Sequence, residues 1–378
     1  MNIGIDLRGI LEKNKTGVGE YTLNLIKAVL EQDKTNRYFL FTNSIKKTTK
    51  PPFYQNNVFC VHTHYPNKIL NLALTLGLIK IENLLPEKIN YWFSPNLNFT
   101  SLKKSTKHIL LLHDLSFEFF PEFYTLKRQL WHRFINPKKL CETADIIITP
   151  SVNTKRDLIN YYQIPDKKIQ VIYPGLSKNF YIDEEELKKQ KNFIKKKYGL
   201  PDNFILFLAA IEPRKNLLGL IKAYEKLPPT ITNKYHLIIA GAKGWKNNSV
   251  YKAALHSSLK QNIKFFGYLP DLEKPALYSL ADLFVFPSYY EGFGLPIIEA
   301  MQMNTPVIAS NCSSINEIAK NGVLLVNPNN TNNLSVAIKT ILQNPELIIN
   351  YKKRGKEIAS EFNWHEAAAL WLRLLESD

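Results

Sequence analysis

Long apolar runs are missing from this chain. The longest candidate, Ile69 to Ile81, is interrupted by Asn71 and framed by Lys68 and Lys80. That falls short of the about 18 consecutive apolar residues a membrane-spanning helix needs. The N-terminus enters a strand pattern at once, Asn2-Ile3-Gly4-Ile5-Asp6. No basic stretch followed by an apolar one precedes it, so no signal peptide is expected. Cysteine is scarce: Cys60, Cys141 and Cys312 are odd in number and far apart. They form neither a disulfide framework nor a metal-binding spacing, which fits a reducing cytoplasm. His62, His64 and His132 have no metal partners at useful spacing and read as structural or exposed. No low-complexity tract occurs.

What is present suits two globular domains. The chain has 378 residues, too many for one ordinary domain and natural for two of roughly 150–200 each. Hydrophobic residues make up 45% and charged residues 22%, enough for a core in each half. The net charge is +16, and it is uneven: residues 1–178 carry 25 Lys and Arg against 14 Asp and Glu, the remainder 24 against 19. This excess is either a generally basic composition or the mark of an anionic partner for the first half: a lipid surface, a phosphorylated acceptor or nucleic acid.

Short apolar runs alternate with amphipathic stretches throughout, which predicts an α/β class with doubly wound parallel sheets. In the first half, strands are expected at Ile3–Asp6, Tyr38–Thr42, Val58–His62, Tyr91–Ser94, Ile109–His113 and Ile146–Thr149, with a helix at Tyr21–Leu30. Val171 to Tyr173 reads as a further strand before Pro174-Gly175, and Asp183 to Lys197 as a solvated helix. The strand pattern then restarts at Phe204–Leu208 and continues at His236–Ala240, Ile263–Phe266, Leu283–Phe286, Val307–Ala309 and Val323–Val326. The boundary is placed at 178/179, giving domains 1–178 and 179–363. After Pro345 the chain reads as helical to its end. One face of the last helix carries Trp364, Ala367, Ala368 and Trp371 and needs a partner surface.

The segment richest in chemistry is Glu291-Gly292-Phe293-Gly294-Leu295-Pro296-Ile297-Ile298-Glu299, after the apolar run Leu283–Phe286. It reads as strand, loop, helix. Pro296 suits the first helical turn, where it loses no hydrogen bond. Gly292 and Gly294 let the backbone approach a ligand, and a helix start of this kind offers free N–H groups to an anion. A phosphate at these amides has Glu291 on one side and Glu299 on the other, each suited to vicinal hydroxyls of a sugar or a ribose. The plainer reading is an ordinary α/β loop with Glu299 facing the helix dipole.

This segment resembles the E-x7-E signature of retaining glycosyltransferases of family 4, which have the GT-B fold, and the resemblance covers essentially the whole chain. Phe266–Asp271, Leu277–Asp282 and Thr305–Ser310 match the flanking stretches. Ile5–Arg8, Thr16–Tyr21, His113–Ser116 and Gly241–Trp245 are most similar to the mannosyltransferase-B-like branch. The resemblance implies two Rossmann-like domains facing across a cleft, the first binding acceptor and the second a nucleotide sugar. It also implies that the terminal helix 364–376 crosses back to the first domain.

Other motifs gain roles beside it. Arg214 and Lys215 follow the first strand of the second half, where such a pair suits a diphosphate; the alternative is a solvent-facing basic helix start. The resemblance implies contact with the donor phosphates. No Asp-x-Asp occurs, which argues against metal-dependent transferases of the GT-A type, so no metal and no cofactor is expected. Gly17-Val18-Gly19 lacks the third glycine of a dinucleotide fingerprint, with Thr22 in its place. The resemblance implies a loop closing over the donor. His113, with Asp114, stands at a strand's carboxyl edge, and the resemblance implies an approach to the transferred sugar; a structural histidine is the alternative. Phe117 to Phe134 interleaves aromatic residues with Lys127, Arg128 and Arg133. It reads as a helix with one core face and one wet face, or as a surface for an anionic membrane ahead of nucleic acid. Three positions depart from the family pattern: Ala209 and Asn304 replace glycines and Asn316 a proline. Asn304 tolerates the left-handed helix-end conformation.

The reaction expected is hexosyl transfer, with GDP-mannose favoured as donor and a saccharide or lipid-linked saccharide of surface polysaccharide or O-antigen synthesis as acceptor. The catalytic candidates are His113, Glu291, Arg214 and Lys215. Gly17, Gly19, Arg214, Lys215, Gly292, Phe293, Gly294, Leu295 and Glu299 are expected to hold the donor, Glu291 positioning sugar hydroxyls and Glu299 the ribose. A cytoplasmic protein, able to sit on the inner face of the membrane, follows. A noncatalytic nucleotide-sugar-binding protein on the same fold is the main alternative; a basic nucleic-acid-binding protein ranks below it.

Overall fold

The structure, a computed structural model, describes residues 1–10, 17–45 and 51–376. Thr16 of the Thr16–Tyr21 motif lies outside them. The chain divides into two compact units. The first comprises Met1–Leu115, Lys127–Gly175 and the terminal segment from Asn363; the second comprises Ser116–Leu126 and Leu176–Phe362. The break falls three residues before the position placed from sequence, and the short segment Ser116–Leu126 groups with the second unit.

The first unit holds seven strands: β1 (Asn2–Asp6), β2 (Arg37–Asn43), β3 (Val58–Thr63), β4 (Tyr91–Ser94), β5 (Lys107–Leu111), β6 (Ile146–Thr149) and β7 (Ile169–Val171). They pair in the order β3-β2-β1-β4-β5-β6-β7, all parallel. The second unit holds β8 (Phe204–Leu208), β9 (His236–Ala240), β10 (Ile263–Gly267), β11 (Leu283–Phe286), β12 (Val307–Ser310) and β13 (Leu324–Val326). Their order is β10-β9-β8-β11-β12-β13, again all parallel. Each sheet reverses its strand order once, at β1/β4 and at β8/β11, and such switch points open a crevice at the carboxyl ends of the strands.

Burial on both faces explains the apolar runs. In β8, Phe204, Leu206 and Leu208 pack into one core cluster while Ile205 and Phe207 pack into another. Packing also dictates Gly4 in β1: a Cβ there would lie 2.4 Å from the ring of Trp92, itself fully buried. The terminal helix Trp364–Arg373 belongs to the first unit, and Ala367, Ala368 and Trp371 share a core cluster with Tyr21 and Leu25 of the helix Gly17–Gln32. Trp371 meets Phe93 edge-on at 5.5 Å. Burying a side chain of this size contributes about 2–3 kcal/mol.

Local signals act as the sequence suggests along most of the chain. The charged stretch forms the helix Glu184–Tyr198, capped by the Asp183 side chain and ended by Gly199 at φ 56°. Asn304 adopts φ 57°. Three expectations need correction. β5 begins two residues earlier than expected, so His113 lies beyond its end, and β7 likewise ends at Val171. Phe117–Phe134 is not one helix: Phe120 leaves helical geometry before Pro121, giving Ser116–Phe119, a 3-10 turn and Leu126–Ile135. Proline lacks the N–H a continuing helix requires and biases its predecessor away from the helical region. The C-terminal stretch breaks after Ala359 and restarts behind the N-cap Asn363.

His108 makes the first unit sensitive to acid. It is buried, its backbone N–H donates to Asp145 Oδ2 at 2.7 Å, and its Nε2 lies 3.0 Å from Ser94 Oγ. Burial pushes its pKa down from 6.5 to about 4, against the pull of Asp145 and Asp6. The unfolded chain therefore binds more protons between these values, and stability falls as pH drops below 6.5. The expected loss between pH 7 and pH 5 from this residue is about 2 kcal/mol. Urea unfolding of His108→Gln should show a correspondingly flatter pH dependence.

Candidate functional site

The second unit gathers its chemistry at the β8/β11 switch point. β8 leads through Glu212 into a 3-10 turn, Pro213–Lys215, and β11 leads through Ser288–Glu291 into the helix Leu295–Gln302. Four charged groups meet there. Arg214 NH2 lies 3.0 Å from Glu212 Oε1 and its NH1 lies 3.0 Å from Glu291 Oε2. Lys215 Nζ donates to Glu291 Oε1 at 2.7 Å. Arg214 NH1 also donates to the Tyr290 carbonyl at 2.6 Å, and Lys215 Nζ sits 5.0 Å from the centre of the Phe286 ring. Glu212, Lys215 and Glu291 are all buried, which overturns the alternative of a solvent-facing basic helix start.

Two cations and two carboxylates make this set neutral, which is the condition for burying it. Burial opposes the charge on Glu291, but Arg214 and Lys215 outweigh it and hold the carboxyl below its ordinary range. Burial, then the adjacent Arg214 guanidinium, pushes the Lys215 ammonium down. Glu291 is thus bound to the cations rather than standing apart from them.

The turn that carries Glu291 is held from below. Glu291 N–H donates to Ser313 Oγ at 2.9 Å. Ser314 Oγ donates to the carbonyls of Glu291 and Phe293 at 2.9 and 2.8 Å. Cys312 Sγ contacts the carbonyls of Ser288 and Tyr289. Gly294 precedes the helix at φ 112°, a conformation that favours glycine, and a Cβ would press on Ile318 at 3.0 Å. Gly292 lies in the turn and Leu295 opens the helix. The Phe293 ring is buried edge-on against Phe362 at 5.3 Å. Glu299, in the body of the helix, is 4% exposed and accepts a hydrogen bond from Tyr278 OH at 2.8 Å. Beside Cys312, a cavity of about 500 Å³ is lined by Phe120, Phe123, Tyr289, Asn311 and Asn327, among others.

Glu212, Ser313 and Ser314 escaped the sequence reading. Glu212 stands two residues before Arg214, but nothing local marks it as its partner. The serines stand in a loop whose only signal is its place after a strand.

His113, Gly17 and Gly19 belong to the first unit. His113 donates through Nε2 to the Pro95 carbonyl at 2.9 Å and packs edge-on to Tyr21 at 5.3 Å. Burial lowers its pKa although the Pro95 carbonyl and Asp114 act to raise it, so the ring is neutral at pH 7. Tyr21 stands on the helix Gly17–Gln32; Gly17 and Gly19 form its first turn rather than a loop, and the residues just before them lie outside the described part.

A family model described as glycosyltransferase family 4 matches residues 16–180, and one described as glycosyl transferases group 1 matches residues 188–358. The chain belongs to glycosyltransferase family 4. The O-antigen chain mannosyltransferase B of Escherichia coli is 28% identical over 92% of this chain and 93% of its own. The O-antigen chain mannosyltransferase RfbU of Salmonella typhimurium is 27% identical, with coverage of 90% and 91%. The glycosyltransferase shares its fold with the sucrose-phosphate synthase of Thermosynechococcus elongatus (TM-score 0.77, 19% identity, 100% of this chain and 98% of that one). The architecture is GT-B: two parallel-sheet Rossmann-like units.

The charge set gives a direct expectation. Glu291→Gln leaves Lys215 buried without its carboxylate, which costs about 3–5 kcal/mol. Thermal denaturation should show that loss, and inorganic pyrophosphate should restore more stability to the variant than it adds to the wild type.

Proposed function

We propose that this glycosyltransferase moves mannose from GDP-mannose, with retention at the anomeric carbon, to a saccharide or lipid-linked saccharide acceptor in O-antigen or related surface polysaccharide synthesis. The observation that carries the reading is the juxtaposition of Arg214 and Lys215 with the Gly294–Leu295 helix start at the β8/β11 switch point. The likeness to two named O-antigen mannosyltransferases over nine-tenths of the chain supports the sugar and the pathway class.

In this reading a diphosphate lies at the helix amides, and Arg214 and Lys215 supply the positive charge that stabilises its departure, without a metal. The transition state has oxocarbenium character. Glu291, drawn to the cations in this structure, turns toward hydroxyls of the transferred sugar, and Glu299 takes the ribose. His113 serves the transferred sugar as a neutral hydrogen-bonding group. The cavity beside Cys312, with aromatic walls and the amides of Asn311 and Asn327, has the mixed apolar and hydrogen-bonding character that saccharides need.

The test is a thermal-shift panel of GDP-mannose with UDP-, dTDP- and ADP-linked sugars. GDP-mannose should stabilise the protein most, and Glu299→Ala should remove most of that shift. A larger shift with another nucleotide sugar would replace the donor; no shift with any would remove the reading.

We also propose that the first unit docks on an anionic membrane face. Among the described residues no helix is long and apolar enough to cross a membrane. Yet Leu130, Trp131 and Phe134 are exposed on the helix Leu126–Ile135, interleaved with exposed Lys127, Arg128 and Arg133. Such a face suits the headgroup region of anionic lipid. Vesicles containing phosphatidylglycerol should sediment the protein, and the double variant Leu130→Glu, Phe134→Glu should stay in solution. Equal binding to pure phosphatidylcholine would count against charge as the attraction.

A further inference from the structure

Tyr278 is buried completely, and its phenol is aimed at a carboxylate. It stands on the helix Lys274–Leu280, and its OH donates to Glu299 Oε2 at 2.8 Å. The ring is locked edge-on against Phe284 of β11, centroids 5.2 Å apart. Its carbonyl accepts from Thr305 Oγ1 at 2.7 Å. Thr305 N–H in turn donates to Ala300 O at 3.0 Å, and Met303 N–H to Glu299 O at 3.2 Å. The turn that ends the helix of Glu299 is thus clipped to the residue that grips the Glu299 side chain.

The geometry points to Tyr278 as the positioning residue that presets Glu299 for two vicinal hydroxyls, and so makes the site selective for a ribonucleotide over a deoxyribonucleotide. The inference rests on the assignment of Glu299 to the ribose given above. Being fully buried, Tyr278 acts only through the carboxylate. A glutamate side chain has three torsions, and ordering them on binding costs free energy that a preset rotamer avoids. Each carboxylate oxygen accepts two hydrogen bonds, so a bond from Tyr278 at Oε2 fixes the plane of the group without using up its capacity. Two parallel bonds to a 2′,3′-diol demand that plane; a single bond to a deoxyribose hydroxyl tolerates a mobile carboxylate. Tyr278 therefore matters more for a diol than for one hydroxyl.

The test compares affinities by titration calorimetry of GDP with 2′-deoxy-GDP and of UDP with 2′-deoxy-UDP, in wild type, Tyr278→Phe and Glu299→Ala. The phenylalanine keeps the buried ring. Tyr278→Phe should bind the ribonucleotide about tenfold more weakly and the deoxyribonucleotide no more than about twofold more weakly, collapsing the preference. Replacing Tyr278 by 4-aminophenylalanine, which restores a donor on the same ring, should recover it. A lowered melting temperature with the wild-type preference intact in Tyr278→Phe would show that the residue only packs, and would overturn the inference. If Glu299→Ala itself keeps the wild-type preference, the ribose assignment fails first. If Glu299→Ala loses the preference while Tyr278→Phe keeps it, that assignment stands and the positioning role alone falls.

Discussion

The buried contact between Glu291 and the Arg214–Lys215 pair is the constraint on which the second unit's site is built. Charges in a low-dielectric interior are tolerated only when paired and hydrogen-bonded. Here two carboxylates balance two cations, and the Tyr290 carbonyl takes a further guanidinium N–H. The arrangement forces the loops after β8 and β11 together. It also means that the positive charge of Arg214 and Lys215 is matched, in this conformation, by the carboxylates of Glu212 and Glu291.

The parallel sheets make that meeting possible. β8 and β11 are neighbours in space, although β9 and β10 lie between them in sequence. Their carboxyl ends therefore deliver two distant loops to one crevice. Rigidity comes from the layers on either side: apolar residues of β8 enter both core clusters, so a one-residue slip would put the wrong side chains into both packed cores. Ser313, Ser314 and Cys312, after β12, carry this rigidity to the Glu291 turn. The first unit uses the same device at its own switch point and is closed by the terminal helix, whose Trp371 and Ala368 complete a core that its earlier residues leave open.

Sequence and structure part company at identifiable places. The start of β5 was hidden by Lys107 and His108, because a buried, partnered histidine reads as polar. β7 was misplaced because Gln170 faces outward, while the apolar Ile172 and Tyr173 beyond it suggested a strand. Phe117–Phe134 carried enough aromatic periodicity to suggest one helix, but Pro121 breaks it and several of its rings pack around Tyr289 and Tyr290. Nothing local marked the side chain of Phe293 as part of the core cluster it joins.

By itself the sequence determined the α/β class, nearly every strand, the helix start at Gly294–Leu295 and the family, because these depend on short-range patterns of burial and turn chemistry. Tertiary structure decided which groups meet. Lys215 and Glu291 are 76 residues apart and Tyr278 and Glu299 are 21 apart. No local propensity encodes such pairs: each arises only when the sheet order sets strand ends and helices side by side. The Glu291–Glu299 signature was legible as two carboxylates around a helix start. That one is held by cations and the other by a buried tyrosine follows from the packing alone.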